Sequence, residues 1–332
     1  MAQVPLVLAD AADVIDPAIQ KMWVNRAPVE VENFTKLCNV ETGVTDYNLK
    51  ESDISDLSLA GRITENASIV GESPVQGFDQ TFTQTEYGLL AAVTKRMWEF
   101  GIKKRKLENF VDELKRACVR KRETLVANRF NNAQASSYTE NDTAGNYTVT
   151  TTNANGANLA SNAQTREDSG TNNNNIIYDG TTYNLLAGYS LLKALERTAA
   201  LVLSPKGNQL SISPTRLIVR KGHGAKHRLK EVIGAIKANK LPETFSNDGS
   251  GVSGDFEIVE IPYITSSTRV SAVDPAWVDD RHGLQYKESQ AIKMEGPNVV
   301  FKTGEIQYKA TTQFALGVKD YRGTFDSTGL SV

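Results

Sequence analysis

Histidine is the side chain most often used for acid–base and metal chemistry near neutral pH, and the chain contains three. His223 and His227 lie four residues apart in KGHGAKHR, the spacing at which one helix face presents two ligands to zinc. Gly224, however, stands where the zinc-protease motif requires a glutamate. The segment also lacks the third glycine of a dinucleotide fingerprint and has no Walker pattern. A loop followed by a helix start is favoured, with a ligand site as the alternative.

The other candidates for catalysis are weaker. His282 follows two aspartates in WVDDRHG, but no Gly-x-Ser-x-Gly motif accompanies it, so a turn residue is predicted. Cys38 and Cys118 have no Cys-x-x-Cys or Cys/His spacing suited to zinc, and are predicted to be small buried apolar residues. The sequence therefore predicts a protein that is not an enzyme and binds neither a metal nor a cofactor.

Positive charge is concentrated around one stretch of the chain. The whole chain has 37 Lys and Arg against 39 Asp and Glu, so the strong basic excess of a nucleic-acid clamp is missing. With no groove-reading motif, a solvated helix face balanced by acidic neighbours is favoured. The alternative is a non-specific, DNA-facing surface formed by Lys103, Lys104, Arg105, Lys115, Arg116, Arg120, Lys121 and Arg122.

A long amphipathic helix is predicted to carry most of these cations. From Lys106 onward, apolar residues recur at the spacing of a single helical stripe, and charge fills the rest of the surface. Arg116 lies one turn after Asp112 and Glu113, which favours ion pairs on the solvent side. The stripe consists of Leu107, Phe110, Val111, Leu114, Ala117, Cys118 and Leu125.

Before this helix, the sequence predicts an arm and a long hairpin. The first fifty or so residues have no sustained period. GRITENASIVGE and GFDQTFTQTEYGLLAAVT then read as two strands around a turn at Gly71 to Gly77. A lone two-stranded hairpin is only marginally stable and exposes its edges. Both features indicate a subunit that is completed by its partners.

After the helix, a tract rich in Asn, Thr, Gly and Ser is predicted to be loop with short strands, either functional or facing solvent. A compact α/β unit follows, with helices over 185–203 and 225–238 and strands over 214–220 and 256–262. The last fifty residues alternate as strands. The fold class is therefore α+β.

No targeting or membrane segment is predicted. The first residues carry Asp10, Asp13 and Asp16 where a signal peptide would be basic and then apolar, and no apolar run approaches twenty residues. Synthesis in the cytoplasm, without membrane association, is the expectation.

This order of elements resembles the major capsid proteins of tailed double-stranded DNA bacteriophages, which have the Hong Kong 97 phage capsid fold. The segment YGLLAAVTKRMWEFGIKKRKLENFVDELKRACVRKRETLVANRFNN resembles that family's hairpin exit and spine helix. LLKALERTAALVLSPKGNQLSISPTRLIVRKG resembles its axial domain, and AWVDDRHGLQYKESQ through FALGVKDYRGTFDSTG its returning strands. The resemblance covers nearly the whole chain.

The resemblance implies a virion protein that assembles with itself as hexamers and pentamers into an icosahedral shell around DNA, which it binds non-specifically. It implies five parts: an N-terminal arm (1–53), an extended hairpin loop (54–97), a peripheral domain with the spine helix (98–183), an axial domain (184–290) and the peripheral domain's C-terminal strands (291–332). A portal, and in some relatives a decoration protein, are further implied partners.

Two departures from the founding member lead to further expectations. The region from Ile54 to Thr94 contains no lysine, so the isopeptide cross-link of that phage has no donor there and a non-covalent shell is expected. The chain begins almost at once with the arm, so a separate scaffolding protein is expected. The open alternatives are an encapsulin-like nanocompartment shell, a polymerising tail or surface protein, and an enzyme using His223 and His227.

Overall fold

The structure is a computed structural model. It describes residues 32–54, 56–63, 68–69, 71–74, 76–94, 104–142, 145–168, 170–179, 185–186, 188–222, 224–238, 255–266, 269–280, 282–328 and 330–331. Over residues 104–111 only the backbone is described.

After a 3-10 turn at Phe34–Lys36, the helices are α1 (Lys104–Asn131), α2 (Tyr189–Ala200), α3 (Gly224–Lys237) and α4 (Pro275–Asp279). The strands of the first half are β1 (Asn39–Thr42), β2 (Asn48–Ile54), β3 (Gln76–Thr83), β4 (Thr85–Val93), β5 (Ser137–Asp142), β6 (Gly145–Thr150) and β7 (Leu185–Leu186). Those of the second half are β8 (Arg216–Arg220), β9 (Glu257–Ile261), β10 (Ser271–Val273), β11 (Gly283–Val300), β12 (Glu305–Asp320), β13 (Thr324–Asp326) and β14 (Leu330–Ser331).

The larger sheet joins the two ends of the chain in the order β1-β11-β12-β4. Strands β11 and β12 form a long antiparallel pair that confirms the strands predicted for the last fifty residues. Strand β4 runs antiparallel to β12, and β1 runs parallel to β11. Residues near 40 and 90 therefore depend on residues near 290 and 310 for their backbone hydrogen bonds.

Helix α1 packs on this sheet and confirms the predicted amphipathic helix. Leu114, Cys118 and Leu125 of the predicted stripe are buried, and Leu125 shares a core with aromatic residues of the sheet. Arg116 and Glu113 form the predicted ion pair at 2.6 Å. Both cysteines are free and buried, as expected.

The α/β unit is also confirmed, with element ends shifted by a few residues. Its sheet has the order β13-β10-β8-β9, with β8 and β9 parallel. Leu191 and Leu195 of α2, Leu217 of β8 and Leu229 of α3 are completely buried in one core. An apolar face on each helix and an apolar central strand account for this packing.

The hairpin prediction is correct for the later segment, which contains β3. It is wrong about the strand that pairs with this segment. Strand β3 pairs antiparallel with β2, from Asn48↔Thr83 to Ile54↔Gln76. The described residues between these strands are not in regular strands, and Gly77 lies inside β3 rather than in a turn. Several segments alternate with period two, and only contacts with distant residues select the pair that forms.

The Asn-rich tract was expected to be functional or to face solvent, but many of its amides are buried. It contains the hairpin β5–β6 and then irregular chain. The Asn175 side chain, 1% exposed, donates from Nδ2 to the carbonyls of Leu159 and Thr324 at 2.7 and 3.0 Å. Asn173 donates similarly to Leu203. These side-chain amides donate hydrogen bonds to backbone carbonyls that would otherwise be buried without a partner.

Candidate assembly surfaces

The segment from the end of β2 towards β3 contains several large apolar side chains that are exposed to solvent. Large aliphatic side chains in the described part of 54–69 are 53 to 83% exposed: Ile54, Leu57, Leu59, Ile63 and Ile69. We call this segment the apolar loop. Several large exposed apolar side chains in one short segment indicate a site of interaction with another molecule.

The base of the apolar loop is tied to the α/β unit by charged and polar contacts. Asp56 accepts hydrogen bonds from the Lys206 backbone at 3.1 Å and from the Asn208 amide at 3.1 Å. Glu72 accepts from Ser58 and pairs with Lys206 Nζ at 2.7 Å. The hydrogen bond from Lys206 lowers the pKa of Glu72 to about 2. The loop is therefore held in place at its base while its apolar side chains remain exposed.

A buried lysine fixes the β2–β3 ribbon to the large sheet. Lys287 of β11 is 1% exposed and lies 2.7 Å from Glu41 of β1; it also contacts Glu51 of β2. Its Nζ lies 4.9 Å from the centre of the Phe82 ring. Gly317 of β12 lets that ring approach, since a Cβ there would lie 2.8 Å from Phe82 Cε1. One ammonium group thus joins three strands.

Two further surfaces are open. Phe301, at the tip of the β11–β12 hairpin, is fully exposed. Strand β4 pairs with β12 along one side and with no described strand along the other, and Leu90 on it is 54% exposed. A groove of about 440 Å³ runs beside this open edge, against α1 and β5. An open edge of this length is a site for contact with another chain.

The structure separates the basic residues that the sequence predicted as DNA-facing. Arg122 is not available to DNA, because its buried guanidinium pairs with Glu288 and donates to Thr312 Oγ1 at 2.8 Å. Lys121 lies 3.1 Å from Glu140 of β5 and 3.6 Å from a second carboxylate of that strand. Sequence periodicity placed both cations on the helix surface, but the acids that pair with them are distant in sequence.

The remaining members of the set are only partly described. Arg116 and Arg120 both lie beside Glu113, at 2.6 and 3.7 Å, and Lys115 is half-buried. Lys103 lies outside the described residues, and only the backbone is described for Lys104 and Arg105.

The structure describes two of the three histidines. His223 lies outside the described residues, and His227 is exposed on α3. His282 is more than the predicted turn residue, because its Nδ1 lies 3.0 Å from the buried Asp320. Burial alone would raise the pKa of Asp320, but Arg322 and His282 offset this and lower it to about 2. Among the described residues, no group of His, Cys, Asp and Glu is arranged to hold a metal.

Within the described part of the chain, no helix has the length and apolar character needed to cross a membrane.

An α+β subunit with an exposed apolar loop, an exposed hairpin tip and an open sheet edge has the surfaces expected of a self-assembling structural protein. Solved structures show which fold this is. The chain is similar to the capsid structure of the cyanophage P-SCSP1u, with a TM-score of 0.56 and 11% identity over 92% of this chain and 90% of that one. It is also similar to the capsid of the cyanophage Pam1, with a TM-score of 0.53 and 13% identity over 91 and 93% of the two chains.

A third similar structure is the mature capsid of bacteriophage PhiM1, with a TM-score of 0.52 and 11% identity over 92% of this chain and 89% of that one. No curated protein matches the chain in sequence. The model of the phage capsid protein family matches residues 79–327. The chain belongs to this family, is a major capsid protein with the Hong Kong 97 phage capsid fold, and is a component of the virion. The family match favours this function over a nanocompartment shell or a polymerising tail protein.

Proposed function

We propose that many copies of this chain assemble as hexamers and pentamers into an icosahedral shell that encloses double-stranded DNA. The observation that carries the proposal is the apolar loop, whose five large aliphatic side chains are more than half exposed in the single subunit. In a shell, each loop lies on a neighbouring subunit and buries this surface.

Burial of the apolar loop provides a favourable free energy for assembly. Burying an aliphatic side chain contributes about 1.5 to 3 kcal/mol, so five of them contribute roughly 10 kcal/mol before the entropy cost of association. The contacts of Asp56 and Glu72 at the loop base reduce that cost, because the base is ordered before the neighbour arrives.

We propose that the shell is non-covalent. Residues 54 to 94 contain no lysine. The observed ribbon begins earlier and includes Lys50, but this side chain is engaged in an ion pair with Asp79 at 2.6 Å.

We propose a separate scaffolding protein, a portal and a decoration protein as partners, with synthesis in the host cytoplasm. The five-part division into arm, hairpin loop, peripheral domain, axial domain and C-terminal strands remains our proposal for how the subunit is organised in the shell. Packaged DNA would be bound without sequence specificity.

The direct test is negative-stain electron microscopy and light scattering of the purified chain, alone and with candidate scaffolding proteins. Closed shells, or rings of five and six subunits, are the expected result. The double variant Leu59→Ser/Ile69→Ser should keep the circular dichroism spectrum of the native chain but lose assembly. Leu201→Ser is the matched control, because Leu201 is 65% exposed but lies outside the apolar loop. A monomer under every condition, or equal assembly of both variants, would contradict the proposal.

A further inference from the structure

A second basic surface lies on α3 and the end of β8, outside the region that the sequence pointed to. Residues 220–237 contain six Lys and Arg against one glutamate, in a chain whose total charge is close to neutral. Ala225, Leu229 and Ile233 of α3 are buried and pack in the core of the α/β unit. The charged positions therefore lie on the sides and top of the helix, facing solvent.

Most of these cations are not neutralised within the chain. Lys226 and Lys230 share Glu260, at 2.6 and 3.4 Å, and Lys230 remains 54% exposed. Lys221, Arg228 and Lys237 are exposed, and their side chains make no hydrogen bond or ion pair with any described residue. Helix α1 differs, because Arg116, Arg120, Lys121 and Arg122 all lie beside carboxylates of the chain.

The chemistry of this surface distinguishes a nucleic acid from a protein partner. A protein interface usually contains a buried apolar or aromatic anchor. None of the exposed large apolar side chains found in the described residues lies between Arg220 and Lys237. The outermost positions of the helix are instead His227, Glu231 and Gly234. The surface of α3 therefore carries positive charge but has no apolar anchor.

We propose that the exposed sides of α3, with Lys221 just before the helix and Arg228, Lys230 and Lys237 on it, bind the phosphate backbone of double-stranded DNA without sequence specificity. A helix of this length extends about 21 Å, along which duplex DNA carries about twelve charges. Several cations can therefore contact phosphates wherever the helix lies along the duplex. The inference rests on the proposed shell insofar as the DNA is the enclosed genome, but the binding is a property of the subunit.

The electrostatic origin of the binding fixes its salt dependence. Four phosphate contacts give a slope of about −3.6 in log affinity against log salt, so affinity falls about a hundredfold between 50 and 200 mM salt. Replacing three of the four cations should leave a slope of about −0.9. Binding should weaken equally for duplexes of unrelated sequence.

The experiment measures binding of the full-length chain to a 40-base-pair duplex by fluorescence anisotropy at several salt concentrations. The test variant is Lys221→Gln/Arg228→Gln/Lys237→Gln. The control, Lys293→Gln/Lys302→Gln/Lys309→Gln, makes the same change in net charge on β11, β12 and the turn between them, at two exposed positions and the half-buried Lys309. The expected result is loss of slope and affinity in the test variant only. Equal weakening by both variants, or unchanged binding in the test variant, would overturn the proposal.

A second measurement does not depend on the variants folding. Lysine acetylation of the native chain, read by mass spectrometry with and without the duplex, should show protection of Lys221 and Lys237 but not of Lys293. Equal labelling with and without DNA, or stronger binding of polyglutamate than of the duplex, would overturn the assignment. Electron microscopy of the same samples tests shell formation separately, so loss of DNA binding and loss of assembly are distinguishable.

Discussion

Lys287 gives the sharpest test of how the ribbon is held on the large sheet. Its ammonium group is buried, lies between Glu41 and Glu51, and sits over the ring of Phe82. Replacing Lys287 with Met keeps an apolar stem of similar length and removes only the charge. The two carboxylates then face each other without a cation between them.

The magnitude follows from the burial of the partners. Removing one member of a buried ion pair costs about 3 to 5 kcal/mol, because the remaining charge has no partner. The Glu41 side chain is 40% exposed and that of Glu51 is 20% exposed, so water recovers part of their solvation. We therefore expect Lys287→Met to lower the free energy of unfolding by about 3 kcal/mol, at the low end of that range.

The assay is guanidinium unfolding of the unassembled chain, followed by circular dichroism. Lys293→Met, on the same strand but 63% exposed, is the control and should change stability by less than about 0.5 kcal/mol. Adding Glu41→Gln and Glu51→Gln to Lys287→Met should recover most of the loss. If Lys287→Met is as stable as the native chain, or if the glutamine substitutions recover nothing, the charge is not what holds the ribbon.

Three other predictions test separate features. Burial raises the pKa of Asp326 from 3.8 to about 6, so the folded state binds more protons between these values and stability should fall by about 3 kcal/mol as pH rises across them. Asp326→Asn should flatten that part of the curve of unfolding free energy against pH. Gly317→Ala should destabilise the chain by about 1 to 3 kcal/mol through its clash with Phe82, measured by thermal unfolding, and adding Phe82→Leu should recover part of this. Mature particles on a denaturing gel should run at the mass of one subunit; a ladder of larger species would refute the non-covalent shell.

The elements that sequence predicts well are those whose pattern is complete within one segment. The apolar stripe of α1 and the alternation of β12 each bury a face that is visible in a dozen consecutive residues. The predicted order of the elements, together with the wording of segments such as that of the long helix, also led to the family that the family model confirms.

The failures all involve partners that are distant in sequence. Strand β2, which pairs with β3, contacts Lys287 through Glu51, more than 200 residues away, and Arg122 is neutralised by Glu288. Likewise, the buried Asn175 looks like a surface loop residue until its acceptors at Leu159 and Thr324 are known. Composition identifies such residues as polar, and only the fold shows whether water or backbone satisfies them.

The topology of the large sheet also determines when the subunit can fold during synthesis. Strand β4 ends at Val93, and β12, with which it pairs, begins at Glu305. At roughly 5 to 20 residues per second, the ribosome needs on the order of 10 to 40 seconds to supply that partner. Completion of the smaller sheet is also delayed, because β10 pairs with β13, which is synthesised later. Nascent chains arrested near residue 280 should therefore have a protease-sensitive β4, and the large sheet is completed only after β12 has been synthesised.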